Sequence, residues 1–451
     1  MALSGALVAP AASHAAKRPG PSAAAAKKKH RLAPRKGGHI RKAWPVKRSG
    51  GRSGRGGRPN RVLSRFLAKQ VGPAPGTRHL KAAASASGAG PLLDFLPAGN
   101  PGSLRLVRSF DVPADDPAAA RMTNLSWTYD SAVAAVALMF AGEKAQAEQL
   151  IDQLAAVQRT DGSIDFAFNV ADGSSLQQFR SGSIAWIGLA AATYRNLYHS
   201  TRYGTLAGGA ARYLLARRQS TGLVAGGPDV SWVSTQHNLL TWFFLSSVDD
   251  NVVTGLNSSD LHKATDTLAA AIESKLIVSV DSTHSAFVQG INDASRPLDV
   301  QALGLLFLEG SGRGQSGHPS TADKVRAYLG SAYAVSGRPI VKSSVPASFN
   351  QTYAATGPFS GYKPYAEAGS PDVIWAEGTA EVRFALKALG ESTTTLDKSI
   401  SSWGAVTTPR GEGPLGADRT DTGQVNEYHV WPSSAAASWT LLGSAADIWG
   451  L

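Results

Sequence analysis

Helix-length segments of two kinds alternate along the sequence from residue 130 to its end. Six of them are apolar most of the way round and cover residues 130–142, 181–197, 235–248, 298–308, 372–389 and 433–449. Five amphipathic segments lie between them and cover residues 143–158, 206–218, 259–275, 321–334 and 395–403. A helix that is apolar all round is buried on every side, whereas an amphipathic helix faces water on one side. The alternation therefore predicts helical hairpins, each with one inner and one outer member.

Hairpins of this kind arranged in a ring predict an all-α fold, an (α/α)6 toroid. Successive inner helices are separated by one returning helix, so all of them run in the same direction. Their N-termini therefore meet at one end of the ring, where residues far apart in the sequence come together. An outer helix is missing after the last inner segment, and either the chain before Asp130 supplies it or it is absent.

The positive charge of the chain is confined to its N-terminal part. Residues 1–88 contain 20 of the 45 Lys and Arg residues and none of the 33 Asp and Glu residues, so residues 89–451 carry a net charge of −8. Residues 17–88 are also rich in Gly, Pro, Ser and Ala, which is typical of disorder. We therefore predict a disordered basic tail over residues 17–88, with a short amphipathic helix at 61–69, and a toroid domain over residues 89–451.

The basic tail has the charge to bind an anionic polymer. KKKHR (27–31) and RSGGRSGRGGRPNR (48–61) would contact a nucleic acid or an anionic polymer of the cell envelope. A solvated linker is the simpler interpretation, because charge runs carry little specificity. Residues 2–16 are apolar and end in small residues, like the end of a signal peptide. We therefore expect an exported protein, secreted or associated with the cell envelope, and a monomer.

The composition excludes several kinds of chemistry. The chain has no cysteine, which rules out disulfides, thiolate nucleophiles and cysteine-based metal sites. No segment approaches the ~20 apolar residues of a membrane span. Nothing in the sequence calls for a metal or another cofactor, so we expect side chains to carry the chemistry.

Acidic and aromatic side chains are concentrated where the inner segments begin. Glu377 is the most unusual, because it lies close to the apolar side of a segment that opens with the helix-start signal Ser370-Pro371-Asp372. A carboxylate in such a setting must be paired, kept neutral or used in chemistry. The sequence predicts the catalytic carboxylates Asp130, Glu377 and Glu427, and the substrate-binding residues Tyr129, Trp232, Gln236, His237, Asp299, Asp372, Trp375, His429 and Trp431.

Aromatic faces beside carboxylates suit a carbohydrate, whose C–H surfaces stack on rings while its hydroxyl groups bond to acids and amides. Glycosidic cleavage needs a proton donor and a second carboxylate that serves as base or nucleophile. We predict Glu377 as the general acid, with Asp130 or Glu427 as the second carboxylate. Simpler interpretations exist for some candidates, because acids at helix N-termini also act as caps and a histidine on an apolar helix is commonly a core residue.

Several segments resemble those of bacterial six-hairpin glycosidase-like proteins. They are WVSTQHNLL (232–240), RPLDVQALGLLFL (296–308), SPDVIWAEGTAEVRFALKALG (370–390) and EYHVWPSSAAASWTLLG (427–443), and residues 129–163 are similar to the first hairpin of that group. The resemblance covers roughly residues 120–451. It implies the (α/α)6 toroid and an activity that hydrolyses or rearranges glycosidic bonds.

One motif departs from the pattern of that group. A segment that reads like STEHN, followed by an acid two residues later, has Gln236 and Leu240 at the two acidic places here. If the replaced glutamate is catalytic in the group, this protein is altered or inactive. If it only binds sugar hydroxyl groups, Gln236 serves equally well, because an amide both donates and accepts hydrogen bonds.

Other functions remain open at this point. A polysaccharide lyase on the same fold would need a Tyr or His base and an Arg or Asn to neutralise a uronate, roles open to His237, Asn238, Tyr428, His429, Arg180 and Arg296. A glycan-binding protein without turnover would accommodate Gln236. A terpene cyclase is disfavoured, because AVQRTDGSIDF (156–166) only faintly echoes a cyclase repeat and no DxDD motif is present.

Overall fold

The structure, a computed structural model, describes residues 58–74, 102–114, 116, 118–248, 254–317, 319–338, 359–403, 407–408, 411–419, 421 and 427–444. Its helices are α1 (Arg58–Gln70), α2 (Ala119–Met122), α3 (Thr128–Phe140), α4 (Lys144–Val157), α5 (Ser181–Tyr198), α6 (Gly204–Leu215), α7 (Thr235–Ser247), α8 (Ser258–Lys275), α9 (Leu298–Ser311), α10 (Thr321–Ala332), α11 (Ala376–Ala388), α12 (Thr394–Trp403) and α13 (Ser434–Leu442). In this part of the chain, no helix combines the length and the hydropathy of a membrane span.

The inner helices form a closed ring. Helix α3 packs on α5, α5 on α7, α7 on α9, α9 on α11, α11 on α13, and α13 packs back on α3. Glycines in α5 let it approach α7 closely, because a Cβ atom on Gly188 would lie 2.5 Å from the Phe244 ring and one on Gly182 would lie 2.4 Å from His237. The all-α toroid predicted from the alternation of segments is confirmed.

The outer helices complete the hairpins. Helices α4, α6, α8, α10 and α12 each pack on the inner helix that precedes them in the chain. The last inner helix, α13, packs instead on α1, at the other end of the chain. Helix α1 buries Leu63, Phe66 and Leu67, which share one of its faces, and it supplies the sixth outer helix.

The position of α1 corrects the predicted domain boundary. Residues 58–74 were assigned to a disordered tail, but within them α1 is a helix with a buried apolar face. The start of the folded domain at residue 89 is therefore wrong. The predicted signal-peptide remnant at 1–16 and the tail from 17 to 57 lie outside the described residues.

Short antiparallel strands occur in the connections between helices. Strands β1 (Leu125–Trp127), β2 (Ala167–Asn169) and β3 (Ser175–Leu176) form a three-stranded sheet, in which β1 directly precedes α3 and β2 and β3 lie between α4 and α5. The other strands form two-stranded pairs: β4 (Ile277–Ser279) with β5 (Ser285–Phe287), β6 (Ala334–Arg338) with β7 (Phe359–Tyr362), and β8 (Thr407–Thr408) with β9 (Gly411–Glu412). These strands shape the loops at the ends of the ring.

Helix α11 begins later than its sequence signals predicted. The predicted start at Ser370-Pro371-Asp372 is wrong, since Trp375 is the N-cap residue and Glu377 lies in the first turn. The backbone N–H of Ile374 donates to Asp418 Oδ1 at 2.6 Å, and Trp375 pairs with Ala417. These contacts with a distant segment hold the preceding residues extended, so the helix starts only after them.

The last inner helix is shorter than predicted within the described residues. A helix was expected over residues 433–449, but α13 ends at Leu442 and the chain turns at Gly443 and Ser444. Side chains of α11 bind the carbonyl groups at this end, since Lys387 Nζ donates to the Gly443 carbonyl at 3.0 Å. Residues 445–451 lie outside the described part of the chain.

Candidate active site

Four buried carboxyl groups gather at the end of the ring where the inner helices begin. Asp130 lies in the first turn of α3, Asp299 in that of α9 and Glu377 in that of α11, and Glu381 follows one turn later on α11. Each side chain is at most 3% exposed. The charge of Glu377 raises the pKa of each of the other three, so Glu377 lies among them. We call these residues the four-acid cluster.

Tyr129 fixes the orientation of Glu377. Its hydroxyl group donates to Glu377 Oε1 at 2.7 Å and accepts a hydrogen bond from Trp439 Nε1 at 2.6 Å. The Tyr129 ring meets Trp186 edge-on at 5.9 Å, and Trp186 meets Trp439 in the same way at 5.5 Å. Residues from three inner helices therefore hold the phenol group against the central carboxyl group.

Burial makes the cluster hold protons that exposed acids would lose. It raises the pKa of Asp130 to about 8 and that of Asp299 to about 7, and the charge of Glu377 adds to both shifts. Burial also raises the pKa values of Glu377 and Glu381. Removal from water disfavours the charged form of each acid. Several members of the cluster are therefore neutral near pH 7.

Several oxygen atoms of the cluster have no hydrogen-bond partner within the described part of the chain. They are both carboxyl oxygens of Asp130, Oδ1 of Asp299, and Oε2 of Glu377 and of Glu381. The Ser109 hydroxyl group lies close enough to Asp130 to lower its pKa, without the geometry of a hydrogen bond. Buried polar groups normally find partners, and a group without one calls for a specific explanation. A ligand rich in hydroxyl groups would supply such partners.

Gln236 connects the cluster to the partly exposed edge of the site. Its side-chain amide donates to Asp299 Oδ2 at 2.7 Å, and the Gln236 residue is only partly buried. An amide neither gives nor takes up a proton near neutral pH, so Gln236 cannot serve as an acid or a base here. Its position suits hydrogen bonding to a ligand next to Asp299.

His237 lies next to Trp232 and is buried beneath the same edge. The two rings are 5.3 Å apart, and the His237 side chain is 3% exposed. Burial and the positive charge of Arg180 lower its pKa to about 3, so the imidazole is neutral. Trp232 itself is only partly buried.

Glu427 belongs to a second cluster rather than to the four-acid cluster. Its carboxylate accepts hydrogen bonds from Arg121 at 3.2 Å and pairs with His429 at 3.1 Å. The hydrogen bond with His429 is the largest cause of its lowered pKa, so Glu427 is ionised near neutral pH. His429 stacks on Trp431 at 3.7 Å, and Trp431 donates to Asp116 at 3.0 Å. Both rings are buried among these partners.

Trp375 and Asp372 precede α11 but lie in different surroundings. Trp375 is buried, covers Gly378, and lies close enough to Glu377 to lower the pKa of that acid. The Asp372 side chain is 74% exposed and pairs with Arg338 at 2.6 Å. The expected place of Asp372 at a helix N-terminus is therefore wrong.

Glu381 was not among the residues predicted from the sequence. The signal was present, because Glu381 follows Glu377 by four residues and residues at this spacing share one face of a helix. Trp439 was not predicted either, because its role depends on the hydroxyl group of Tyr129, a residue 310 positions away. A local sequence pattern does not predict a partner so distant in the chain.

Comparisons with known proteins bear on the fold. No family model and no curated protein matches the chain. An alpha-amylase from Clostridium perfringens is similar in structure, with a TM-score of 0.53 and 11% identity over 86% of this chain and 96% of that one. A wild-type glycosidase gives a TM-score of 0.51 and 12% identity over 75% of this chain and 90% of that one.

A glycosidase variant gives the same TM-score of 0.51, with 13% identity over 75% of this chain and 90% of that one. At such identities the likeness shows the fold alone. The chain therefore has the six-hairpin toroid fold of glycosidases, and the predicted resemblance to six-hairpin glycosidase-like proteins is confirmed for its architecture.

Proposed function

We propose that this protein is a glycoside hydrolase that cleaves glycosidic bonds in a polysaccharide or oligosaccharide, with Glu377 as the general acid. One observation carries the proposal: the buried carboxyl group of Glu377 is held by Tyr129 at the center of the four-acid cluster. Burial keeps such an acid protonated and ready to donate. The solved structures with a similar fold include glycosidases and an alpha-amylase.

Asp130 is the proposed second carboxylate. Glu377 would donate its proton to the glycosidic oxygen as the C–O bond breaks. Asp130 would either take a proton from the water that attacks the anomeric carbon, or attack that carbon itself to form an intermediate that water then hydrolyses. The charge of Glu377 is one cause of the raised pKa of Asp130. A proton on Glu377 removes that repulsion, so a protonated Glu377 favours an ionised Asp130. Burial is the larger cause of the raised pKa, so the proposed base form of Asp130 requires loss of its proton when the substrate binds.

Glu427 fits the catalytic role less well than Asp130. It is ionised, but Arg121 and His429 already occupy its carboxylate. We assign it to the wall of the site together with His429 and Trp431. Gln236, His237, Trp232, Trp375 and Asp299 are the residues proposed to position the sugar, and Tyr129 orients the acid.

Hydrolysis is favoured over a lyase reaction by the surroundings of the candidate lyase residues. Arg180 pairs with Asp229 at 3.0 Å and Arg296 pairs with Glu367 at 2.7 Å, so both guanidinium groups already have carboxylate partners. Burial raises the pKa of Tyr428 well above its ordinary value, which makes it a poor base. A lyase would also need a positive charge beside the four-acid cluster to neutralise the carboxylate of a uronate. In the described part of the chain, no Lys or Arg forms an ion pair with that cluster.

An extracellular or envelope location is proposed for this activity. The apolar residues 2–16 support export, and the basic residues 17–57 support attachment to an anionic polymer. Deleting residues 2–57 should release the protein from such a polymer while leaving α1 in place.

The test is a glycan panel assayed with Glu377→Gln and a matched control. Wild-type protein should release reducing ends from at least one glycan, and Glu377→Gln should lower that rate by about 10²–10⁴-fold, the usual contribution of general acid catalysis. Glu309→Gln makes the same change at an exposed residue near the other end of α9 and should retain the wild-type rate.

The readouts separate the competing functions. Ultraviolet absorbance from unsaturated sugars would identify a lyase instead of a hydrolase. Glycan binding that survives Glu377→Gln, with no turnover of any glycan by the wild-type protein, would identify a binding protein. Full activity of the Glu377→Gln variant would overturn the assignment of the general acid.

A further inference from the structure

Glu381 lies one helical turn after Glu377 in a setting that disfavours a second negative charge. It is on the same face of α11 as Glu377 and is 2% exposed. Its Oε2 atom has no hydrogen-bond partner within the described residues. An isolated ionised carboxylate is costly to bury, and in practice such a group neutralises instead.

The groups that face Glu381 add no positive charge. They are Glu377 on its own helix, Asp299 on α9 and Tyr129 on α3. The basic residues on α11 have other partners, since Arg383 pairs with Asp397 and Lys387 donates to the Gly443 carbonyl. Burial and the two acids disfavour a charge on Glu381, and the Tyr129 hydroxyl group, which favours one, is a smaller influence on its pKa.

We propose that Glu381 is a positioning residue that stays a neutral carboxylic acid and donates its hydrogen bond to the Glu377 carboxylate formed during catalysis. This inference rests on the proposed role of Glu377. Once Glu377 has given its proton to the leaving oxygen, it is left as a buried carboxylate. Tyr129 already donates to it at 2.7 Å. Residues four apart on a helix are near neighbours, so a neutral Glu381 is placed to add a second donor.

The alkaline limb of the pH–rate profile tests this role through the sign of its shift. A general acid must be protonated, so activity falls as the pH rises through the pKa of Glu377. Glu381→Leu removes the donor to the Glu377 carboxylate and should move this limb about one pH unit upward, with a lower kcat. Glu381→Gln keeps a neutral donor and should move the limb by less than about half a unit.

The opposite result would overturn the proposal. If Glu381 were ionised in the wild-type protein, both substitutions would remove a negative charge beside Glu377. The pKa of Glu377 would then fall, and the alkaline limb would move to lower pH in both variants. Equal loss of kcat in Glu381→Gln and Glu377→Gln would also contradict a role based on neutrality.

A second measurement needs no substrate and tests whether Glu381 is neutral in the folded protein, even if no glycan is cleaved. Burial raises the pKa of Glu381 well above its ordinary value of 4.5. Between these two pKa values, Glu381 holds a proton in the folded state that it loses in the unfolded state. The contribution of Glu381 to the free energy of unfolding is therefore complete below pH 4.5 and is lost as the pH rises toward the pKa of the folded state. Relative to Glu381→Gln, the folding equilibrium constant of the wild-type protein should fall by up to about tenfold per pH unit over this range.

Denaturant unfolding of both proteins between pH 4 and pH 8 measures this difference. Glu309→Gln serves as the control and should follow the wild-type protein at every pH, because Glu309 is exposed. A pH-independent difference between wild type and Glu381→Gln would show that Glu381 ionises normally, and the proposal would fail. If the difference in unfolding free energy did not change with pH but the wild-type protein cleaved a glycan, the proposed function would stand and only the role of Glu381 would fail.

Discussion

The hydroxyl group of Tyr129 joins two inner helices to the central acid of the cluster. It donates to Glu377 and accepts from Trp439, so its single proton has a fixed direction. The hydrogen bond to Glu377 lowers the pKa of that acid, against the larger effect of burial. Tyr129 therefore moderates the pKa of Glu377 as well as orienting its carboxyl group.

Tyr129→Phe should raise the pKa of Glu377 and lower the turnover rate. Without the phenol donor, the Glu377 carboxylate is less stable, so the alkaline limb of the pH–rate profile should move upward. Loss of a hydrogen bond to a charged group costs about 1.5–3 kcal/mol, which corresponds to roughly a 10- to 100-fold lower kcat if the bond acts in the transition state. Steady-state kinetics across the pH range measure both effects.

Tyr213→Phe is the matched control for this substitution. Tyr213 is buried on α6, and its hydroxyl group has no hydrogen-bond partner among the described residues. Removing a buried hydroxyl group without a partner should leave kcat and its pH dependence at wild-type values. Equal effects of the two substitutions would mean that Tyr129 acts only through general packing.

Some residues of the candidate site could be predicted from their neighbours in the sequence, and others could not. Glu377 stood out because small and apolar residues surround it, and its burial agrees with that context. Glu381 has the same context one turn later, and helical spacing alone would have identified it. The start of α11 was not predictable, because Asp418, which binds the Ile374 amide, lies 44 residues further along the chain.

At the scale of elements, α1 shows the limit of local patterns. Its amphipathic character predicted a helix at residues 61–69, and α1 extends over Arg58–Gln70. The same pattern gave no indication of which helix covers its apolar face. The inner and outer helices were easier to predict, because apolar and amphipathic segments alternate in sequence as they do in the ring.

Leu67→Ala should destabilise the ring at α1. Leu67 is fully buried, and removal of a buried leucine side chain typically costs about 2–5 kcal/mol. Arg65→Ala on the exposed side of the same helix should change the free energy of unfolding by less than about 0.5 kcal/mol. Denaturant unfolding of both variants measures the difference, and equal stabilities would contradict the packing of α1 described above.

For the whole molecule, the buried acids make stability depend on pH. Burial raises the pKa of Asp130 from 3.8 to about 8. The folded state therefore keeps a proton that the unfolded state releases, so the stabilisation is complete below about pH 4 and is lost as the pH rises toward 8. Relative to Asp130→Asn, the wild-type protein should lose up to about 1.4 kcal/mol of unfolding free energy per pH unit over this range.

Asp372→Asn is the control for the pH dependence. Its hydrogen bond with Arg338 lowers the pKa of this exposed acid, so its contribution to stability is present above its unfolded pKa and is lost on acidification. The difference between wild type and Asp372→Asn should therefore be constant from pH 5 to pH 8. If the free energies of unfolding of Asp130→Asn and the wild-type protein changed with pH in the same way, the raised pKa of buried Asp130 would be contradicted.

Pairing of the first described helix with the last has a consequence for synthesis of the chain. Helix α1 leaves the ribosome before any other described helix, but its partner α13 is made only about 360 residues later, so its apolar face stays uncovered throughout. Each earlier hairpin has both members available soon after translation. Closure of the circle must therefore wait for α13, whereas each earlier hairpin can form from neighbouring segments.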